Sequence, residues 1–388
     1  MTLVAAAVQA VLLLMWAASV AFCILSAHTL ALFYGRAGRE KASRGGFTPP
    51  VTVMKPIKGS DPDTYENLAS FVHQDYPAYQ IIFGMADPAD PARGIAERLV
   101  MENPDIDLSV VITGEPVGPN YKVSNLHYML PIAKYDILVI ADGDMRVGRD
   151  YLAAVGSGFA EPGVGVVTCP YRGAYPEDAG AALEALGINS DFLPSVTLAE
   201  RLEGMSFALG ATMAVRREAL EKIGGFRALS DFLADDYQLG NLVKKAGYRV
   251  VLSGYVVDAV GRREGVAGYF SRQLRWGRTY RVSRPGGWFM SVVTRGTGLS
   301  VLFLLATGFS SAGWAVFTAN LAVRYLQFLV IEAGYVRGPG VAGYFWLLPV
   351  RDLIGFVVWA MSFTGDTVSW KDASFRIEKD GRMTRLDA

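Results

Sequence analysis

The sequence predicts an α/β domain, a mostly parallel sheet flanked by helices, set between membrane-spanning helices, one before it and about two or three after it. Three observations carry this. Leu3 to Tyr34 is almost uninterrupted apolar sequence, and long apolar runs return after Trp288. Between them, short apolar runs alternate with stretches of helical spacing, the pattern of a parallel sheet covered by helices. The intervening stretch, about Phe47 to Arg284, is long enough to bury a core of its own.

Roughly 20 apolar residues span a bilayer as helix. A signal peptide would have a shorter apolar core, about 7–15 residues, with positive charge before it. Here no Lys or Arg precedes the run, and Arg36, Arg39, Lys41 and Arg44 follow it. The positive-inside rule then puts the N-terminus outside and the middle region in the cytosol. Leu299 to Ala333 and Val341 to Phe363 are long enough for membrane, but Arg295 and Arg324 interrupt the first region. One tilted span and two short spans both stay open; the expected count is two helices after the domain, with a third helix or a re-entrant hairpin near Leu299 to Ala319 as the alternative. Arg324 is expected to face protein or water and not lipid. Lys371, Arg376, Lys379, Arg382 and Arg385 favour a cytosolic tail. The expected division is a membrane helix at 1–35, a cytosolic α/β domain with a juxtamembrane helix at 47–284, membrane helices at 288–364 and a basic tail at 365–388.

Lys plus Arg and Asp plus Glu both number 37, so net charge offers no case for a nucleic-acid partner. Cys23, Cys169 and three scattered histidines fit no disulfide framework or metal-ligand spacing.

Within the middle region Val51 to Pro56 reads as a buried strand ended by proline. Asp61 to His73 has helical spacing, with Asp61 as cap. Tyr79 to Ala86 is the next strand, Pro91 to Asn103 the next helix and Asp107 to Ile112 a third strand. Val123 to Ala133 is helical again, and Asp136 to Ala141 is a strongly apolar strand. Ligands of such sheets bind beyond the carboxyl ends of the strands, where the acidic residues fall.

Asp142-Gly-Asp144 follows the last of these strands. In extended chain, residues two apart share a side, and two carboxylates together suit a hard cation such as Mg²⁺ or Mn²⁺. The same residues also make an ordinary solvated Asp-Gly turn. Asp87 ends the Tyr79 strand and could accept from a uracil or ribose, or belong to a plain loop. Lys122 could reach a phosphate or nucleobase, or be solvated. Asp235 and Asp236 open a helical run after Ile223-Gly-Gly-Phe226. The helix dipole alone favours carboxylates there, while one at the rim of a sugar site could deprotonate a hydroxyl. Seven arginines fall between Arg262 and Arg284. A juxtamembrane basic belt accounts for them. So does recognition of a diphosphate by Arg272 and Arg275, with Trp276 against sugar or nucleotide.

In this order, Asp87, Asp142-Gly-Asp144, Asp235-Asp236 and Arg272-x-x-Arg275-Trp276 resemble the D, D-x-D, (E/D)-D and (Q/R)-x-x-R-W motifs of family-2-type glycosyltransferases with the GT-A fold. Val53-Met-Lys-Pro-Ile-Lys-Gly59, Gln74-Asp-Tyr-Pro77, Lys122-Val-Ser-Asn-Leu126, Ala234-Asp-Asp-Tyr237 and Ser369-Trp-Lys-Asp-Ala-Ser-Phe-Arg-Ile377 narrow the resemblance to ceramide glucosyltransferases. Thr168-Cys-Pro-Tyr-Arg-Gly173, Asp191-Phe-Leu-Pro-Ser195 and Phe207-Ala-Leu-Gly-Ala-Thr212 look closer to the related bacterial hopanoid-biosynthesis branch. Asp235 stands where many relatives have Glu.

The resemblance implies an integral protein of a bacterial inner membrane that moves one hexose from a UDP-sugar to a lipid hydroxyl. Asp142 and Asp144 would hold a divalent cation. Asp87, Lys122, Asp142 and Asp235 would bind the nucleotide sugar. Asp236 would act as base, with Arg275, Arg272 and Trp276 at the leaving diphosphate. A processive polysaccharide synthase and a non-catalytic nucleotide-binding membrane protein are the competing readings. The first needs a polymer channel, for which about three helices are few; the intact acidic and Arg-Trp sets argue against the second.

Overall fold

A computed structural model describes residues 3–42, 46–370 and 373–386. Arg44 of the first basic cluster, and Lys371 and Asp372 of the tail pattern, lie outside the described residues. The chain forms two compact units that interleave along the sequence. One comprises Met1–Phe33, Gly173–Arg201 and Gly261–Ser369, the other Tyr34–Arg172, Leu202–Val260 and Trp370–Ala388.

The second unit is built on a seven-stranded sheet. Its order is Asp107–Ile112, Tyr79–Met85, Val51–Pro56, Ile137–Ala141, Thr212–Arg216, Val164–Thr168, Arg249–Leu252. Thr212–Arg216 runs antiparallel to both neighbours, and the other pairings are parallel. The sheet is therefore mostly parallel, as the alternation of runs predicts. The last three strands in that order go beyond those the apolar runs delimit. Val51, Val53, Ile81, Phe83, Val139 and Ala141 share one core with Leu68, Phe71 and Val72 of the Thr64–Val72 helix. Each such Val, Leu, Ile or Phe side chain contributes about 1.5–3 kcal/mol by leaving water. Cys169 is buried one residue past its strand, and Cys23 is buried in the N-terminal helix; both are free thiols.

Helix starts differ from the expected ones for local reasons. The Thr64–Val72 helix has Asp63, not Asp61, at its cap, without a side-chain capping bond. The Asp61 amide instead donates to Thr64 Oγ1 at 2.7 Å, which makes 61–64 a turn. The Tyr121–Met129 helix begins two residues before Val123, because Asn120 caps it, accepting from the Val123 amide at 3.1 Å. Residues 142–144 form a turn between Ile137–Ala141 and the short strand Met145–Arg146, not the extended chain assumed for this pair.

The first unit is helical. Three described helices are long and apolar enough to cross a membrane: Leu3–Ala42, Ser311–Val336 and Ala342–Met361. Pro285–Thr294 and Gly296–Ala306 would together make a fourth, but they meet at 64°. Arg295 sits at that break, its guanidinium 5.8 Å from the centre of the Trp288 ring. Small residues let the apolar helices approach closely. A Cβ on Gly298 would stand 2.4 Å from the Phe356 ring, and one on Gly296 2.4 Å from Ser19 Oγ.

Arg324 faces protein, as expected of a charge in apolar sequence. Its guanidinium takes both oxygens of Asp352 at 2.8 Å and lies 3.1 Å from Asp191 Oδ1. Arg351 pairs with Asp191 and lies 3.3 Å from Asp352 Oδ1. Thr297 donates to Asp352 Oδ2 at 2.7 Å, Asn320 to Thr297 at 3.1 Å, and Trp16 Nε1 to Asn320 at 3.2 Å. This polar chain ties Leu3–Ala42, Gly296–Ala306, Ser311–Ile331 and Leu348–Met361 to one another and to the Ile188–Phe192 helical segment.

Candidate active site

The acidic residues gather at the carboxyl edge of the seven-stranded sheet. Asp142 follows the buried strand Ile137–Ala141, and its amide donates to the Ala211 carbonyl at 3.1 Å. Lys122 projects from the first turn of the Tyr121–Met129 helix into the group. Its Nζ lies 2.7 Å from Asp142 Oδ1 and 3.7 Å from Asp235 Oδ2. Burial opposes its charge, but Asp142, Asp235 and Asp236 outweigh burial and hold its proton well above the ordinary lysine range.

Asp235 and Asp236 start the Asp235–Lys245 helix. Asn120 Nδ2 donates to Asp235 Oδ1 at 3.2 Å, and Asp235 Oδ2 is buried without a hydrogen bond. A buried carboxylate oxygen without a donor is uncommon and suits a polar ligand. The Tyr237 amide donates to Asp236 Oδ1 at 2.7 Å. Burial, and then the charge of Asp235, push the Asp236 carboxyl up to about 6 against the pull of Lys122. Burial likewise raises Asp142; Lys122 opposes the rise and Asp144 adds to it.

Two residues at this site carried no assigned role in the sequence. Lys55 is fully buried in the Val51–Pro56 strand, its Nζ 2.9 Å from the Asp142 carbonyl and 3.5 Å from the centre of the Phe71 ring. Burial pulls its pKa down to about 7, although Asp142 and Asp144 favour the charge. The signal was a lysine inside an otherwise apolar strand. Asn120 had no signal beyond its helix-capping type, yet it bonds both Asp235 and the Phe232 carbonyl.

Asp87 lies at the same sheet edge, two strands from Asp142, a separation of about 10 Å at strand spacing. It is exposed and accepts from the Ala89 amide of its own loop at 2.8 Å. The nearby Asp90 is buried and accepts from the Gly59 amide at 2.8 Å, which fixes the loop after the first strand.

The arginines belong to the helical unit, on the Gly265–Ser283 helix. Asp178 aligns the start of this helix: it caps Ala179–Gly187 through the Ala181 amide and accepts from the Gly265 amide at 2.9 Å. Arg272 is held by Glu184 at 2.5 Å and by Glu264, with its guanidinium 6.0 Å from the centre of the Trp276 ring. Arg278 and Arg281 donate to backbone carbonyls of Thr364, Gly365 and Thr367. Among the described residues the Arg275 guanidinium has no hydrogen-bonded or ion-paired partner. Burial and the neighbouring Arg272 lower its pKa to about 10. The run thus divides: Arg278 and Arg281 brace the chain after the last apolar helix, Arg272 is ion-paired, and Arg275 has neither kind of contact among the described residues.

Among the described residues no group of three or more His, Cys, Asp or Glu is placed to hold a metal. Asp142 and Asp144 offer two hard carboxylates. That donor set fits a cation whose remaining ligands are water and phosphate oxygens.

Gly210 tests the geometry. A Cβ there would stand 2.8 Å from Asp236 Oδ2, so Gly210→Ala is expected to displace that carboxyl. A misplacement of this size is expected to lower kcat about 10- to 100-fold, with thermal unfolding near that of the parent. Unchanged initial rates would contradict it.

A mostly parallel α/β sheet with carboxylates at its C-terminal edge, in a chain with apolar helices before and after it, is the arrangement that the resemblance to membrane-associated glycosyltransferases leads one to expect. The chain belongs to glycosyl transferase family 21, whose family model matches residues 11–383. It is 22% identical over 368 residues to ceramide glucosyltransferase 1 of Caenorhabditis elegans, covering 92% of this chain and 78% of that one. Ceramide glucosyltransferase 3 of the same organism is 26% identical over 66% of this chain and 56% of its own. Among solved structures, a mannosyltransferase from Pyrobaculum calidifontis in complex with GDP-Man and Mn²⁺ aligns with a TM-score of 0.46 at 22% identity, over 87% of this chain and 99% of that one.

Proposed function

We propose that the protein transfers a single hexose, N-acetylglucosamine or glucose, from a UDP-sugar to the hydroxyl of a membrane lipid. The acceptor is a hopanoid polyol or ceramide, reached at the cytosolic face of a bacterial inner membrane. The observation that carries this is Asp236. Its carboxyl is raised to about 6 beside the buried, under-bonded Asp235, and so it is ionised but still basic near neutrality, as a general base requires. Family membership supplies the reaction class.

Asp236 takes the proton of the lipid hydroxyl as its oxygen attacks the anomeric carbon from the face opposite UDP, which inverts that centre. Lys122 and Asp235 hold the nucleotide sugar, and Asp87 its nucleoside end. Arg275, with Arg272 and Trp276 in support, meets the departing diphosphate by paired N–H donors. Asp142 and Asp144 would hold a Mg²⁺ or Mn²⁺, which neutralises diphosphate charge when bound. The apolar helices keep the lipid acceptor in reach.

The test is incubation of the purified full chain with UDP-glucose or UDP-N-acetylglucosamine and with ceramide or a hopanoid polyol, followed by mass spectrometry of the lipids. One added hexose per lipid is expected, and EDTA should abolish it. No glycolipid with any of the four pairings would overturn the assignment. The rate should also fall as pH drops through about 6, where Asp236 gains its proton. A profile flat from pH 5 to 8 would remove Asp236 as base.

A further inference from the structure

The basic C-terminal tail ends in a hairpin. Ala373–Ile377 pairs antiparallel with Met383–Arg385, in the register Phe375 to Arg385 and Ile377 to Met383. Its turn is closed by the Glu378 amide on the Arg382 carbonyl at 2.8 Å and uses Gly381 at φ 89°, a conformation glycine adopts at little cost. Phe375, Ile377 and Met383 are buried, so the hairpin is packed and not a loose basic peptide.

What it packs on is the segment that leads into Asp235 and Asp236. The Met383 amide donates to the Asp231 carbonyl at 2.7 Å, and Arg382 bridges Phe232 in antiparallel sense. The Arg382 guanidinium stands 5.8 Å from the centre of the Phe232 ring. The same segment is also held by Asn120, whose amide donates to the Ser230 carbonyl at 2.9 Å and whose side chain donates to the Phe232 carbonyl at 2.8 Å. Arg385 Nη1 reaches the hydroxyl of Tyr121, the residue before Lys122, at 3.2 Å. The following helix has Ala234 at its cap position, with no side-chain capping bond. The placement of its first two carboxylates therefore depends on how residues 229–234 are held.

We propose that the C-terminal hairpin is a positioning element for the transfer reaction. Residues 382–383 hold Asp231 and Phe232, Asn120 holds Ser230 and Phe232, and Asp235 and Asp236 follow directly on the segment so fixed. Met383 acts through its backbone amide and Arg385 through Tyr121; neither is a catalytic residue. The proposal rests on the reading of Asp236 as base.

The experiment uses the full chain in detergent micelles, with Met383→Pro, which deletes the amide donor, Arg385→Ala, Arg385→Lys and a chain ending after Glu378. Hydrogen exchange and initial rates are both measured, the rates with UDP-glucose or UDP-N-acetylglucosamine and ceramide or a hopanoid polyol. Met383→Pro and the truncation should speed exchange of the 229–237 amides about tenfold or more and leave strand Ile137–Ala141 protected. They should lower kcat about 10- to 100-fold with a smaller change in donor KM, and should move the acidic limb of the pH profile. Arg385→Ala should show a weaker form of the same loss, largely restored in Arg385→Lys.

Parental kcat and an unmoved acidic limb despite faster exchange at 229–237 would overturn the proposal. So would loss of protection in Ile137–Ala141 as well, because the hairpin would then support the whole sheet. If hairpin variants behave as expected but Asp236→Asn keeps its turnover, positioning by the hairpin stands and the base assignment alone falls.

Discussion

Asp236→Asn is expected to lower sugar transfer by about 10²–10⁴-fold, the span for loss of a positioned general base, while UDP binding stays near that of the parent. The side chain keeps its shape, and its oxygen can still accept from the Tyr237 amide, now 2.7 Å from Asp236 Oδ1. What is lost is the capacity to take a proton. Lys122 keeps its 2.7 Å pairing with Asp142 and its longer contact with Asp235, so the nucleotide side of the site should survive. Stability moves the other way. The fold raises the Asp236 carboxyl from 3.8 to about 6. The folded state therefore binds this proton more tightly than the unfolded chain does. Ionisation then opposes folding, and the penalty is fully present above about pH 6. Asparagine removes it, so the variant should melt at or above the parental temperature at neutral pH. Calorimetric UDP titration, initial rates and a melting curve check the three parts. Turnover within threefold of the parent would sink the base assignment, and weakened UDP binding would show that Asp236 also positions the donor.

How much of this was legible in the sequence follows the range of the interactions. Ile137–Ala141 is visible because a buried strand is a bounded apolar run, and the placing of Asp142 at a strand end comes with it. The Thr212–Arg216 strand, which runs antiparallel between Ile137–Ala141 and Val164–Thr168, is set by pairing across the fold, and its short run gives no sign of it. The turn at 142–144 broke the alternation assumed for the two aspartates, though Asp144 still raises the Asp142 carboxyl. Local spacing also left Arg272, Arg275, Arg278 and Arg281 equivalent. The Arg272-x-x-Arg275-Trp276 resemblance singles out the first two, and partners separate the rest: carboxylates for Arg272 and loop carbonyls for Arg278 and Arg281. The tail's basic residues read as a cytosolic end; Arg382 and Arg385 are exposed, but they sit on a hairpin whose apolar side chains are packed. Nothing in the residues 373–385 alone names Asp231 and Phe232 as what they pair with.

Asp352→Ala is expected to cost roughly 3–5 kcal/mol, the effect of removing one partner from a buried ion pair, and is the largest stability loss foreseen for a single side chain. Arg324 and Arg351 face Asp191 and Asp352, two positive charges against two negative, with all but Asp191 under 10% exposed. Alanine leaves two guanidinium groups with one carboxylate. The bidentate contact of Arg324 at 2.8 Å disappears, and Thr297 loses its acceptor. Arg324 and Arg351 are buried, so the loss of a partner leaves positive charge uncompensated. Coupling through Thr297 and Asn320 to Trp16 extends the loss to the N-terminal helix. The contrast that isolates charge imbalance from packing is the pair Arg324→Met with Asp352→Leu. It removes one charge of each sign and fills the space with apolar atoms, so it should recover most of the loss. Thermal unfolding in detergent, followed by tryptophan fluorescence, measures both. If Asp352→Ala melts with the parent, the network is not what holds these helices. If the double variant is no better than Asp352→Ala, the loss comes from packing and not from unpaired charge.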